Sequence, residues 1–200
     1  MIYLIDRNKE MCDEWMKLFK NDPDVIVLND DFFSKKVDCV VSPANSFGFM
    51  DGGLDGVISQ KLGWIVQTRV QKSIKENFGG ELLVGQALLV ETGDIDTPYC
   101  MSAPTMRVPM ILDKTPNVYL AAKAIFTLFK SEQNIIRTIT ISGLGTGVGR
   151  VPFNICARQM KQAYDDVMLN KYEFPKTWSE IQTRDQLLYS SFARDLQFRK

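Results

Sequence analysis

Residues 36–41 read KVDCVV and run directly into SPANSFGFMDGGLDG at 42–56. A nearly continuous apolar run, without strict alternation, suits a strand covered on both faces. That places it centrally in a sheet with helices above and below. The stretch after it has the opposite character, with four glycines, two aspartates and an asparagine in fifteen positions. The pattern recurs downstream, where IIRTITIS at 135–142 ends in GLGTGVGRVP at 143–152. Ligands of open α/β sheets gather outside the carboxyl ends of strands. Glycine there lets backbone N–H groups approach a ligand, and a helix starting just beyond adds partial positive charge. Two such turns suit two phosphates, or both sides of one diphosphate.

Neither turn fits a named nucleotide motif. GLGTGVGR lacks the lysine and hydroxyl pair of a P-loop, and the first turn does not read G-x-G-x-x-G. The surrounding elements still alternate. Strands are expected at 2–5, 25–28, 37–42, 87–91, 98–103 and 135–142. Helices are expected at 8–20, 52–63, 64–79, 116–130 and 152–169, each from apolar spacing or end signals. In the first helix Met11, Trp15, Leu18 and Phe19 recur at helical spacing; in the last of these Cys156, Met160, Ala163, Tyr164 and Val167 do. This order implies an α/β/α sandwich on a largely parallel or mixed sheet. Residues 174–200, after Pro175, read as a C-terminal helical extension of a single domain spanning 1–200.

The chain has 200 residues, enough for a full core, and no histidine. Ser-His-Asp and Cys-His mechanisms and the usual histidine metal sites are therefore excluded, and no metal or cofactor is expected. Acid–base work falls to carboxylates, lysine, tyrosine, cysteine or bound water. Lysine plus arginine equal aspartate plus glutamate at 24 each, which makes nucleic acid an unlikely partner. Cys12, Cys39, Cys100 and Cys156 sit singly in apolar stretches, as buried thiols of a reducing compartment do. No secretory signal and no run of about 20 apolar residues is present, so a cytoplasmic protein with no membrane contact is expected.

The polar residues of the first turn have possible work in a ligand site. Asn45 offers an amide to a sugar hydroxyl, or it closes an Asx-turn. Asp55 begins a helix, where it either caps the first turn or orients a sugar hydroxyl or water. Asp51 reads as a turn residue.

VDCVVSPANSFGFMDGGLDGVI, ISGLGTGVGRVP and the upstream NDDFFSKKVDCVV together resemble the macrodomain family, in order, over about residues 25–168. The resemblance implies a three-layer α/β/α fold with a mixed central sheet that binds ADP-ribose over the sheet. It implies that Asp31, or its neighbour Asp30, accepts from the adenine amino group. Ala44, Asn45, Gly52 and Gly53 would meet the distal ribose and the phosphates beside it. Asp55 would match the aspartate that hydrolytic members use on the distal ribose and the attacking water. Gly145, Thr146, Gly147, Val148, Gly149 and Arg150 would wrap the diphosphate.

Departures narrow the comparison. Ser42 stands where the family often has a first asparagine. Gly149 and Arg150 stand where an aromatic and then glycine are common, so Arg150 is free either to reach a phosphate or to point to solvent. The paired glutamates of poly-ADP-ribose glycohydrolases are missing, as is the second-loop acid of the lysine-nucleophile subgroup. Arg107, in APTMRVP at 103–109, has no role in this comparison. The implied function is hydrolysis of mono-ADP-ribose from proteins, or of small ADP-ribose derivatives, at the distal ribose. A non-catalytic ADP-ribose reader, an ADP-ribose 1″-phosphate phosphatase and a ligand-free interaction scaffold remain as alternatives, and the oligomeric state stays open.

Overall fold

A computed structural model describes residues 1–196. Its strands are β1 Ile2–Asp6, β2 Val25–Asn29, β3 Cys39–Ser42, β4 Leu88–Glu91, β5 Tyr99–Ser102 and β6 Ile139–Ile141. Its helices are α1 Lys9–Phe19, α2 Gly53–Leu62, α3 Ile65–Asn77, α4 Asn117–Ser131, α5 Phe153–Val167 and α6 Trp178–Tyr189. The strands form one sheet in the order β2-β1-β6-β3-β5-β4. All neighbours run parallel except β4, which is antiparallel to β5. The sheet is thus mixed, and β3 lies inside it, as its nearly continuous apolar run leads one to expect.

Strand periodicity divides the core into two layers. Cys39, Val41, Met101, Ile139 and Ile141 face α1, α4 and α5. Val40, Cys100, Leu88 and Val90 face α2 and α3 on the other side. Each large side chain removed from water contributes about 1.5–3 kcal/mol. Tyr164 is one hub, its ring edge-on to Phe19 at 5.6 Å and to Phe126 at 5.8 Å between centroids. All four cysteines are free and buried.

The elements differ from expectation in places with identifiable causes. In α1 the buried face is Met11, Cys12, Trp15 and Phe19, while Leu18 is 38% exposed. Asn8 caps this helix, its Oδ1 accepting from Glu10 N at 2.9 Å. The strand expected from residue 135 starts only at Ile139. The amides of Ile135 and Ile136 turn back to Glu132 O at 3.0 and 2.8 Å. Those of Arg137 and Thr138 are both taken by Asp38 Oδ2 at 2.8 Å. These bonds replace ladder bonds.

The helix expected over 174–200 narrows to α6. Thr177 Oγ1 accepts from Glu180 N at 3.1 Å, and Glu180 reaches back to Lys176 N at 2.8 Å, which fixes its start. It touches α5 through Arg158 Nη2, which donates to Leu188 O at 3.2 Å, and it buries no residue. Residues 197–200 of that expectation lie outside the described residues. Among the described residues no helix is long and apolar enough to cross a membrane.

Candidate functional site

The carboxyl ends of β1, β3, β5 and β6 open into a cleft of about 480 Å³. Both glycine-rich loops line it, as do the segments that follow β1 and β2. The sheet order explains the convergence. β6 lies between β1 and β3, so the loop after β6 is flanked by the ends of both neighbours.

The first loop is held rigidly from below. Gly48 has φ +67°, and a Cβ there would come within 2.8 Å of Val70 Cγ1 on α3. Met50 is fully buried, its N–H donating to Gln67 Oε1 at 2.7 Å and its carbonyl accepting from Ser59 Oγ at 2.8 Å. Arg107, without a role in the sequence comparison, clamps this loop from the side. Its guanidinium makes a two-pronged pair with Glu81 at 2.8 and 2.6 Å and lies 5.2 Å from the Phe47 ring centre. The carbonyl of Arg107 also accepts from Ser46 N at 3.2 Å.

Asn45 lines the cleft, but its amide is already engaged within its own loop. Oδ1 accepts from Phe47 N at 3.1 Å and Phe49 N at 3.3 Å, and Nδ2 donates to Phe49 O at 2.8 Å. This is the Asx-turn alternative, and it leaves one Nδ2 hydrogen for a ligand. Ala44, Gly52 and Gly53 line the cleft beside it. Gly52 begins α2 with no side-chain cap. The amides of Gly53, Leu54 and Asp55 donate to no group among the described residues, so the first turn of α2 opens to the cleft unsatisfied.

Asp55 is the third residue of α2 and sits at the cleft floor. Its Oδ1 accepts from Ser42 Oγ at 2.7 Å. Desolvation raises its pKa to about 6; the Ser42 hydrogen bond opposes the rise and the nearby Asp51 charge adds to it. A carboxyl so tuned changes protonation state near neutrality, as an acid–base group requires.

The second loop is built around bare amides. None of the N–H groups of residues 145–149 donates to another group among the described residues, and these residues line the cleft. Such successive open donors form an anion-binding concavity. The loop is tied down instead by its flanks. Gly143 N donates to Asp6 Oδ2 at 3.1 Å and Val151 N to Gly145 O at 3.1 Å. A Cβ on Gly149 would lie 2.5 Å from Gly145 O, which explains why no aromatic occupies that position here. Arg150, with φ 53°, is exposed and does not line the cleft. Its side chain is not among those that line the cleft, so the expected part in wrapping a diphosphate is not seen in its placement.

Asp31 lines the cleft, and Asp30 does not. Asp30 instead accepts from Asp31 N at 2.7 Å. Asp31 accepts from Phe33 N at 2.8 Å and is ion-paired with Arg7. The Phe33 amide and then Arg7 hold its carboxyl below the usual range. Among the described residues no group of three or more histidine, cysteine, aspartate or glutamate side chains is placed to hold a metal ion.

A model of the Macro domain matches residues 41–160, more than half of the chain. The chain belongs to the Macro domain family. An uncharacterized protein of Aquifex aeolicus is 32% identical to it over 139 residues, 68% of this chain and 78% of the relative. A variant of the Oceanobacillus iheyensis macrodomain, solved with ADPR, is 18% identical at a TM-score of 0.61, covering 80% of this chain and 86% of that one. The macrodomain of Mycobacterium tuberculosis DarG is 18% identical at a TM-score of 0.59, covering 68% and 87%. At such identity the two structures establish the fold.

This macro domain also brings to its cleft residues that the sequence did not single out. Arg7 and Phe32 line one end, and Phe49, 56% exposed, stands on the first loop across from the expected Val148, 63% exposed, on the second. Phe49 supplies an aromatic from the first loop where the second lacks one. Its only signal in the sequence was its place within the glycine-rich stretch. Ser42 was noticed solely as a departure from the family pattern, yet it is the partner of Asp55.

Proposed function

We propose that this macro domain binds ADP-ribose in the cleft and hydrolyses the bond at the anomeric carbon of the distal ribose. Mono-ADP-ribose is thereby released from a protein side chain or from a small derivative. The observation that carries this reading is Asp55, tuned to about 6, in the one cleft that two sets of open amides also line. The bare amides of residues 145–149 suit a diphosphate, and those at the start of α2 suit a phosphate or the adjoining ribose. Asp31 accepts from the adenine amino group. Asn45, Gly52 and Gly53 hold the distal ribose, and Ala44 packs beside it.

In the reaction, water adds its oxygen to the anomeric carbon and the bond from that carbon to the carrier atom breaks. The carrier leaves with the proton that water gives up. Ser42 holds one oxygen of Asp55, which leaves Oδ2 to orient the water and take its proton. Orientation of the ribose against this carboxylate supplies much of the rate. The partner is then an ADP-ribosylated protein. We place the protein in the cytoplasm, where its free buried thiols stay reduced.

One observation favours a reader without turnover: both polar ends of Asn45 already serve its own loop. Calorimetric titration with ADP-ribose, followed by a release assay on a mono-ADP-ribosylated protein, separates the two. One-to-one binding is expected, weakened about tenfold by Asn45→Ala. Turnover is expected to fall at least about a hundredfold in Asp55→Ala. Binding without release would leave the reader. No binding by folded wild-type protein would end both readings.

A further inference from the structure

Four carboxylates line the cleft, those of Asp6, Asp31, Asp51 and Asp55, and among the described residues Arg7 is the one cation that lines it with them, while Lys61 acts on Asp31 from outside the lining. An anionic diphosphate entering this cleft meets an unfavourable field. The open amides of the second loop offset it only in part, because they carry partial charges. Arg150, the cation next to that loop in sequence, does not line the cleft. Arg7 does line it. Asp6, just before it, is tied by Oδ2 to Gly143 N at the root of the second loop, 3.1 Å away.

Arg7 is also available. Its side chain is 79% exposed and its partner Asp31 is 45% exposed, so the pair between them is a solvated one that exchanges readily. Asp31 keeps its place without Arg7, because Phe33 N holds its other oxygen at 2.8 Å. A guanidinium is the group best shaped to leave a carboxylate for a phosphate, since it offers paired donors to either.

We infer that Arg7 sets the affinity of the cleft for the ligand's diphosphate: the guanidinium rests on Asp31 in the free protein and turns to a phosphate oxygen in the complex. The inference rests on the reading of the cleft as an ADP-ribose site. On binding, Asp31 is released toward the nucleobase as Arg7 moves to the phosphate, so the ion pair covers both groups until the ligand arrives.

Titrations of wild type and Arg7→Gln with ADP-ribose and with adenosine, at low and high ionic strength, test it. The substitution is expected to weaken ADP-ribose about tenfold. It should not weaken adenosine binding, since Asp31 is then already uncovered, and it should flatten the salt dependence of ADP-ribose binding. An equal loss for both ligands would overturn the phosphate role and assign Arg7 to positioning Asp31. No loss for either would overturn it outright. Wild-type protein that binds neither ligand would instead overturn the ADP-ribose reading on which the inference stands, a result visible before any variant is made.

Discussion

The hydroxyl of Ser42 donates to Oδ1 of Asp55 at 2.7 Å, joining the last residue of β3 to the third residue of α2. Ser42 is fully buried, so this bond is made away from water and favours the ionised carboxylate. Ser42→Ala removes it and leaves the desolvation unopposed. The pKa of Asp55, about 6 in the intact protein, is expected to rise by about one unit. Titration of the Asp55 carboxyl by carbon NMR measures this directly. An unchanged value would show that the hydroxyl does not control the carboxylate.

The same carboxyl links stability to pH. Its folded pKa of about 6 lies above the ordinary 3.8, so between those values the folded protein holds a proton that the unfolded chain has lost. The contribution of Asp55 is therefore full below pH 3.8 and is lost as pH rises through about 6. Asp55→Asn, which cannot ionise, escapes this loss. Its stability relative to wild type is expected to improve by roughly 2–3 kcal/mol between about pH 4 and pH 7, then level off. Urea unfolding across that range checks it; a difference that is flat with pH would remove the burial argument.

Arg150 occupies the left-handed region at φ 53°, which costs a residue with a Cβ about 1 kcal/mol or more. Arg150→Gly relieves that cost, with part of the gain returned through the freer unfolded chain. A net stabilisation of about 0.5–1 kcal/mol is expected, seen as a higher urea midpoint at constant slope. ADP-ribose affinity should not change, because the side chain lies outside the cleft. Lower stability in the variant would mean that the arginine makes compensating contacts.

Much of this was readable from the chain. The nearly continuous apolar run in KVDCVV placed β3 inside the sheet because a strand without a polar face has nowhere else to go. The two glycine-rich stretches marked both walls of the cleft for the same local reason, since only short side chains let backbone donors stay open. Asp31, Asp55 and residues 145–149, all named from the sequence or its family resemblance, line one cleft. Leu18 and the start of β6 were misplaced. Helical spacing does not say which edge of an apolar face meets the core, and apolar content does not reveal that Asp38 will take two strand amides.

The sequence by itself determined the order of elements, the central place of β3 and the positions of the two loops, because these depend on neighbours in the chain. The tertiary structure alone decided which polar groups meet. Laying β6 beside β1 brings the Asp6–Arg7 end to the second loop, and packing α2 over β3 brings Asp55 to Ser42. Arg150, the expected cation, takes a left-handed backbone and does not line the cleft. Such meetings are set by sheet order and by the sign of a single backbone angle, neither of which is carried by the spacing of residues along the chain.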